Sequence, residues 1–176
     1  MIGIVIVAHG GLAREYLSAV EHVVGPQVGI AAVAIEDDHD RAAKTAEIKA
    51  AADAVDLGDG VVLVTDLFGG SPSNLSLPAC AVQDRTILYG ANLPMLVKLA
   101  KSRHLSVPVA VGFAKDAGRK YINSYNVPPE AALDSGRYPR SPMRPPAARR
   151  SSTARAATPG QPPSAWAWTN AMTRRH

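Results

Sequence analysis

Two short stretches of this 176-residue chain carry side chains that could do chemistry. His9 follows the apolar run Met1 to Ala8 and precedes Gly10 and Gly11, and Asp66 follows the apolar run Gly60 to Thr65 and precedes the loop Leu67-Phe68-Gly69-Gly70-Ser71. An imidazole beside a carboxylate suits nucleophilic work. The carboxylate accepts from one ring N–H, fixes the tautomer and leaves the lone pair of the other nitrogen pointing outward. The second ingredient is an anion site. Backbone N–H groups around Gly10, Gly11, Gly69, Gly70 and Ser71, at the starts of two helices, and the Ser71 hydroxyl suit a dianionic phosphoryl group. Neither motif holds a basic residue, which fits a site that must hand its phosphate on.

Other polar residues read more plainly. His22 and His104 fall in helical patterns with no partner motif. His39 lies within Glu36-Asp37-Asp38-His39-Asp40, which reads as a solvated helix start rather than a metal site. No metal and no cofactor is expected. Asn92, before Leu93-Pro94, fits a turn former and a site residue equally well.

The elements that must position His9 and Asp66 follow from apolar periodicity. Short β-branched runs alternate with helical patterns, the signature of βαβ units in an α/β fold with an open, doubly wound parallel sheet. Strands are expected at residues 1–8, 28–35, 60–65 and 86–89. Helices are expected from Leu12 to a stop at Gly25-Pro26, from a cap at Asp38 or Asp40 to Val55, from Ser71 as N-cap to Val82, and over 93–102. After Ser106 the step of four through Val109, Phe113, Ala117 and Tyr121 favours a last helix, with a strand at 108–113 as the alternative. Ligands of such sheets bind beyond the carboxyl ends of the strands, where the strand order reverses. A 2-1-3-4 order would bring His9 and Asp66 face to face there.

Composition divides the chain. Residues 1–127 hold 11 Lys/Arg against 13 Asp/Glu, and residues 128–176 hold 8 Arg against 2 acids with nine of the fourteen prolines. The basic excess thus belongs to a Pro/Arg/Ala-rich segment that lacks apolar periodicity, so disorder is expected over 128–176 and nucleic-acid binding is not. That segment reads either as a natural basic tail or as read-through in a shifted frame. One domain is expected over 1–127. Cys80 is the only cysteine, which excludes an intramolecular disulfide and agrees with a reducing, cytoplasmic setting. Met1 to Ala8 is too short for a membrane span and has no positive leader, so any membrane role is expected to come through a partner.

Three blocks, IGIVIVAHGGLA at 2–13, VVLVTDLFGGSPSN at 61–74 and YGANLPML at 89–96, give residues 1 to about 125 a close resemblance to the mannose-type (mannose/fructose/sorbose) enzyme IIA domain of the phosphoenolpyruvate-dependent sugar phosphotransferase system. The resemblance implies that His9 accepts phosphate from the phosphocarrier protein HPr, that Asp66 orients it, and that Ser71 lies at the phosphate. It also implies a four-stranded parallel core, a homodimer, and a sugar-specific IIB component as the acceptor. No IIB domain is recognisable in this sequence, so a separate acceptor is expected. Two alternatives stay open: a regulatory protein whose phosphorylation state controls a partner, and the phosphoryl-donor subunit of a dihydroxyacetone kinase. Hydrolase and dinucleotide-binding readings lack their motifs, G-x-S-x-G and G-x-G-x-x-G.

Overall fold

The computed structural model describes residues 1–124. Its element order is β1 (Gly3–His9), α1 (Leu12–Val24), β2 (Ile30–Ile35), α2 (Arg41–Val55), β3 (Val61–Thr65), α3 (Ser71–Ser76), a 3-10 turn (Leu77–Ala81), β4 (Arg85–Tyr89), α4 (Leu93–Lys101) and α5 (Val107–Lys120). The four strands form one parallel sheet in the order β2-β1-β3-β4, as a 2-1-3-4 α/β fold requires. The segment 128–176, expected to be disordered, lies outside the described residues.

Continuous apolar strands arise because both faces of the sheet are covered. Ile4, Ile6, Ala8, Val62 and Val64 point toward α1, α4 and α5, where Leu96, Leu99 and Ala110 meet them. Val5, Val7, Val61 and Leu63 point the other way, toward Ile48 and Ala52 of α2 and Leu75 of α3. Ile4, Val5, Ile6 and Val7 are each at most 1% exposed. Each such side chain stabilises the sheet by about 1.5–3 kcal/mol.

Several boundaries differ from expectation, most by a single residue. His9 is the last residue of β1, in register with Ile35. β2 starts at Ile30 and not Val28, because Gly29 turns with φ 75° against the Arg103 guanidinium and Val28 is exposed. The helix expected over 71–82 ends after Ser76 and tightens to a 3-10 turn, where Pro78 has no N–H to continue the ladder. Its N-cap is Gly70, so Ser71, expected as the cap, occupies the first helical position. The step of four after Ser106 does give a helix, α5, and not a strand.

Arg103 closes the end of the sheet opposite His9. Its guanidinium, 3% exposed, donates to the carbonyls of Ile2 (2.6 Å), Val28 (2.7 Å) and Gly29 (3.2 Å). Burial pushes its pKa down.

Candidate functional site

β1 and β3 are neighbours, and their carboxyl ends carry His9 and Asp66. The ladder between them ends at Val7 and Thr65, so Asp66 stands one residue beyond it and is free to reach sideways. Its Oδ2 accepts from the His9 backbone N–H at 3.0 Å and meets His9 Nδ1 at 2.9 Å. An ionised carboxylate only accepts, so Nδ1 carries the proton and the lone pair lies on Nε2. The Asp66 side chain is 13% exposed and that of His9 48% exposed. Burial alone would push the Asp66 carboxyl up. The hydrogen bonds from the His9 backbone and ring outweigh it and hold the carboxyl below the usual aspartate range. Asp66 is therefore an anion at neutral pH.

The Nε2 edge of the ring faces the loop after β3. A Cβ placed on Gly70 would lie 3.1 Å from His9 Cε1 and 3.5 Å from Nε2. Only glycine lets the backbone come this close without moving the ring. The loop is braced from behind. Gly69 N–H donates to Ser73 Oγ (3.0 Å), the Ser73 hydroxyl donates to Gly70 O (3.1 Å), and Asn74 Nδ2 donates to Gly69 O (3.1 Å).

The expected anion donors divide on inspection. Gly10 turns the chain with φ 51° and its N–H already donates to Ile35 O at 2.9 Å. The Gly69 N–H is taken by Ser73. Gly10 and Gly69 thus shape the site, and their amides are committed elsewhere. The N–H groups of Gly11, Gly70 and Ser71 start α1 and α3 and so have no carbonyl one turn back to bind. These three remain as candidate phosphate donors.

Sequence reasoning missed Ser73 and Asn74, although short polar side chains of these types readily bond to nearby backbone, as they do here to Gly69 and Gly70. Tyr16 reads in the sequence only as a helical apolar position. Its hydroxyl donates to Ala91 O at 2.8 Å, and burial followed by the Asp66 charge pushes its pKa up. Asn92 caps α4, its Oδ1 accepting from Met95 N–H at 3.0 Å. The acidic cluster behaves as a helix start: Asp40 Oδ1 accepts from Ala42 N–H (2.7 Å) and Ala43 N–H (3.1 Å). Among the described residues, no group of three or more His, Cys, Asp or Glu could hold a metal ion. No helix among them is long and apolar enough to cross a membrane.

Fold and site together define a parallel α/β protein with a carboxylate-oriented histidine at the switch point of its sheet. A family model described as the PTS system fructose IIA component matches residues 3–110, and the chain belongs to this family, the mannose-type IIA components of the sugar phosphotransferase system. The PTS system mannose-specific EIIAB component of Escherichia coli K12 is 26% identical over 131 residues, which cover 73% of this chain and 41% of that protein. The chain thus spans well under half the length of the curated relatives it matches. Among solved structures, phosphotransferase system component EIIA from Streptococcus agalactiae is 26% identical with a TM-score of 0.61, covering 70% of this chain and 97% of that one. The PTS IIA protein associated with the fucose utilization operon of Streptococcus pneumoniae is 26% identical with a TM-score of 0.62, covering 69% and 91%. The mannose/sorbose specific IIA subunit from Enterococcus faecalis, 22% identical with a TM-score of 0.64 over 72% and 96%, shares the fold.

Proposed function

We propose that residues 1–127 form a phosphocarrier domain in which His9 Nε2 accepts a phosphoryl group from phospho-HPr and passes it to a separate IIB component for sugar uptake. The observation that carries this reading is the 2.9 Å contact between Asp66 and His9 Nδ1, which leaves Nε2 as the nucleophile on a half-exposed ring. In the transfer, the Nε2 lone pair attacks phosphorus in line, the bond from phosphorus to the HPr nitrogen breaks, and that nitrogen keeps the electron pair. Asp66 stabilises the positive charge that grows on the imidazole. The Gly11, Gly70 and Ser71 N–H groups and the Ser71 hydroxyl bind the phosphoryl oxygens. Neither motif supplies a basic residue to clamp them, so the phosphate can leave again.

The exposure of the site favours a protein donor. Leu67 (59% exposed) and Phe68 (74% exposed) stand on the loop between Asp66 and Gly70, with Phe68 packed edge-on to Tyr89 at 4.9 Å. Such exposed apolar side chains beside a reactive group fit a docking surface for HPr and IIB. The clefts along the outer edge of β4 and beside Met1 and Asp59 include neither His9 nor Asp66. The protein acts in the cytoplasm as a homodimer, and meets the membrane only through the permease. Uptake of phosphate from phosphoenolpyruvate, enzyme I and HPr by the wild type, and none by His9→Ala, is the test. Labelling retained by His9→Ala removes His9 from the mechanism.

A further inference from the structure

We infer that Tyr16, outside both motifs, is a positioning residue that sets the Asp66 carboxylate against His9. The inference rests on His9 as the phosphoryl acceptor. Tyr16 lies in the second turn of α1, and its ring packs against the core under the α1, α4 and α5 face of the sheet. Its hydroxyl donates to Ala91 O at 2.8 Å. The Ala91 N–H donates in turn to Thr65 O at 3.0 Å, the carbonyl of the peptide unit that joins Thr65 to Asp66. Asp66 then takes both His9 N–H groups on Oδ2. From His9 the chain returns through Gly10 and Gly11 to α1. The path is a closed ring, and α1 enters it through the Tyr16 hydroxyl.

The ring has weight because Asp66 has so little else to hold it. The β1–β3 ladder ends at Thr65, and so does the β3–β4 ladder. The second carboxylate oxygen, Oδ1, is buried with no hydrogen-bond partner among the described residues. Both His9 hydrogen bonds thus meet the carboxylate at Oδ2, with the Leu67 backbone N–H a lesser stabiliser, and its placement depends on how the plane of the Thr65–Asp66 peptide is held. That plane is fixed on its far side by Ala91, and Ala91 by Tyr16. The phenol is also kept protonated, first by burial and then by the Asp66 charge, so it stays a donor.

The alternative is that Tyr16 only packs. Tyr16→Phe separates the two, because it keeps the ring and removes the hydroxyl. Uptake from phospho-HPr by this variant should show a kcat about tenfold below wild type, since a small misplacement near the reacting atoms is costly, with KM for phospho-HPr unchanged. In the resting variant, the His9 Nδ1 proton, followed by 15N-edited NMR of the ring, should exchange with water about fivefold faster, the change expected when the Asp66 contact loses the net worth of one typical hydrogen bond. A wild-type kcat overturns the inference. So does a lower kcat with an unchanged imidazole proton, because Tyr16 would then act elsewhere. If the wild-type protein takes no phosphate, the phosphocarrier reading fails separately, and the imidazole proton alone decides the role of Tyr16.

Discussion

Replacing Asp66 with asparagine tests the orienting carboxylate while keeping its shape. In Asp66→Asn the new amide oxygen must take the Oδ2 position, because the His9 backbone N–H points there and an NH2 group would oppose it. The Nδ1 contact therefore survives as a neutral hydrogen bond, and the NH2 falls at the Oδ1 position, which has no partner among the described residues. What is lost is the charge that stabilises the imidazole as it becomes cationic. A hydrogen bond to a charged group contributes about 1.5–3 kcal/mol and a neutral one about 0.5–1.5 kcal/mol, so what is lost is the difference, about 1–1.5 kcal/mol. That corresponds to a rate lowered about 5- to 13-fold. Quenched-flow sampling of phosphoryl uptake from phospho-HPr, read as intact mass, measures it. An Asp66→Asn rate within twofold of wild type would refute the role given to the carboxylate.

Three further outcomes are expected. Gly70→Ala places a methyl 3.1 Å from His9 Cε1, so the protein should stay folded by circular dichroism while phosphoryl uptake falls by about tenfold or more; normal uptake would show that the ring need not sit where it does. Arg103→Met removes the donors to three carbonyls at the opposite end of the sheet, and urea titration should show a loss of about 2–4 kcal/mol with His9 still reactive in whatever fraction is folded. Asp56 is held below the usual aspartate range, first by the Gly58 backbone N–H and then, against burial, by Arg85. Its stabilisation is therefore full above about pH 4 and is lost as pH falls through the lowered folded value, so Asp56→Asn should be less stable than wild type at pH 7 and converge with it in acid. A stability gap that persists unchanged in acid would contradict that assignment.

The sequence was most legible where one physical cause acts alone. A strand covered on both faces must be apolar throughout, so β1 and β3 could be read directly, and with them the placement of His9 and Asp66 at strand ends. α5 was read from an apolar step of four, yet Val109, Phe113 and Tyr121 of that step are exposed, and the face that packs is Val107, Ala110, Ala114 and Gly118. The structure adds why Gly118 is there: a Cβ would lie 3.1 Å from Met95 Cε and from Asn92 Nδ2. What escaped the sequence depends on contacts between distant segments. Pro78 is the exception, a local signal, since a proline inside a helical stretch marks a break and the 3-10 turn falls there. Ser71 reads as the cap because nothing in the sequence shows that Gly70 lies against the imidazole. The commitment of the Gly10 N–H to Ile35 O needs the strand register, which a sequence does not print. The same holds for the link from Tyr16 to Ala91, made across 75 positions.

The central claim is that His9 carries phosphate. Its most direct test is incubation of the full chain with phosphoenolpyruvate, enzyme I and HPr, followed by mass analysis of the intact protein and of its His9 peptide. The account predicts one acid-labile phosphoryl group on His9. No phosphate from a demonstrably active HPr, or phosphate on any other residue, would contradict it.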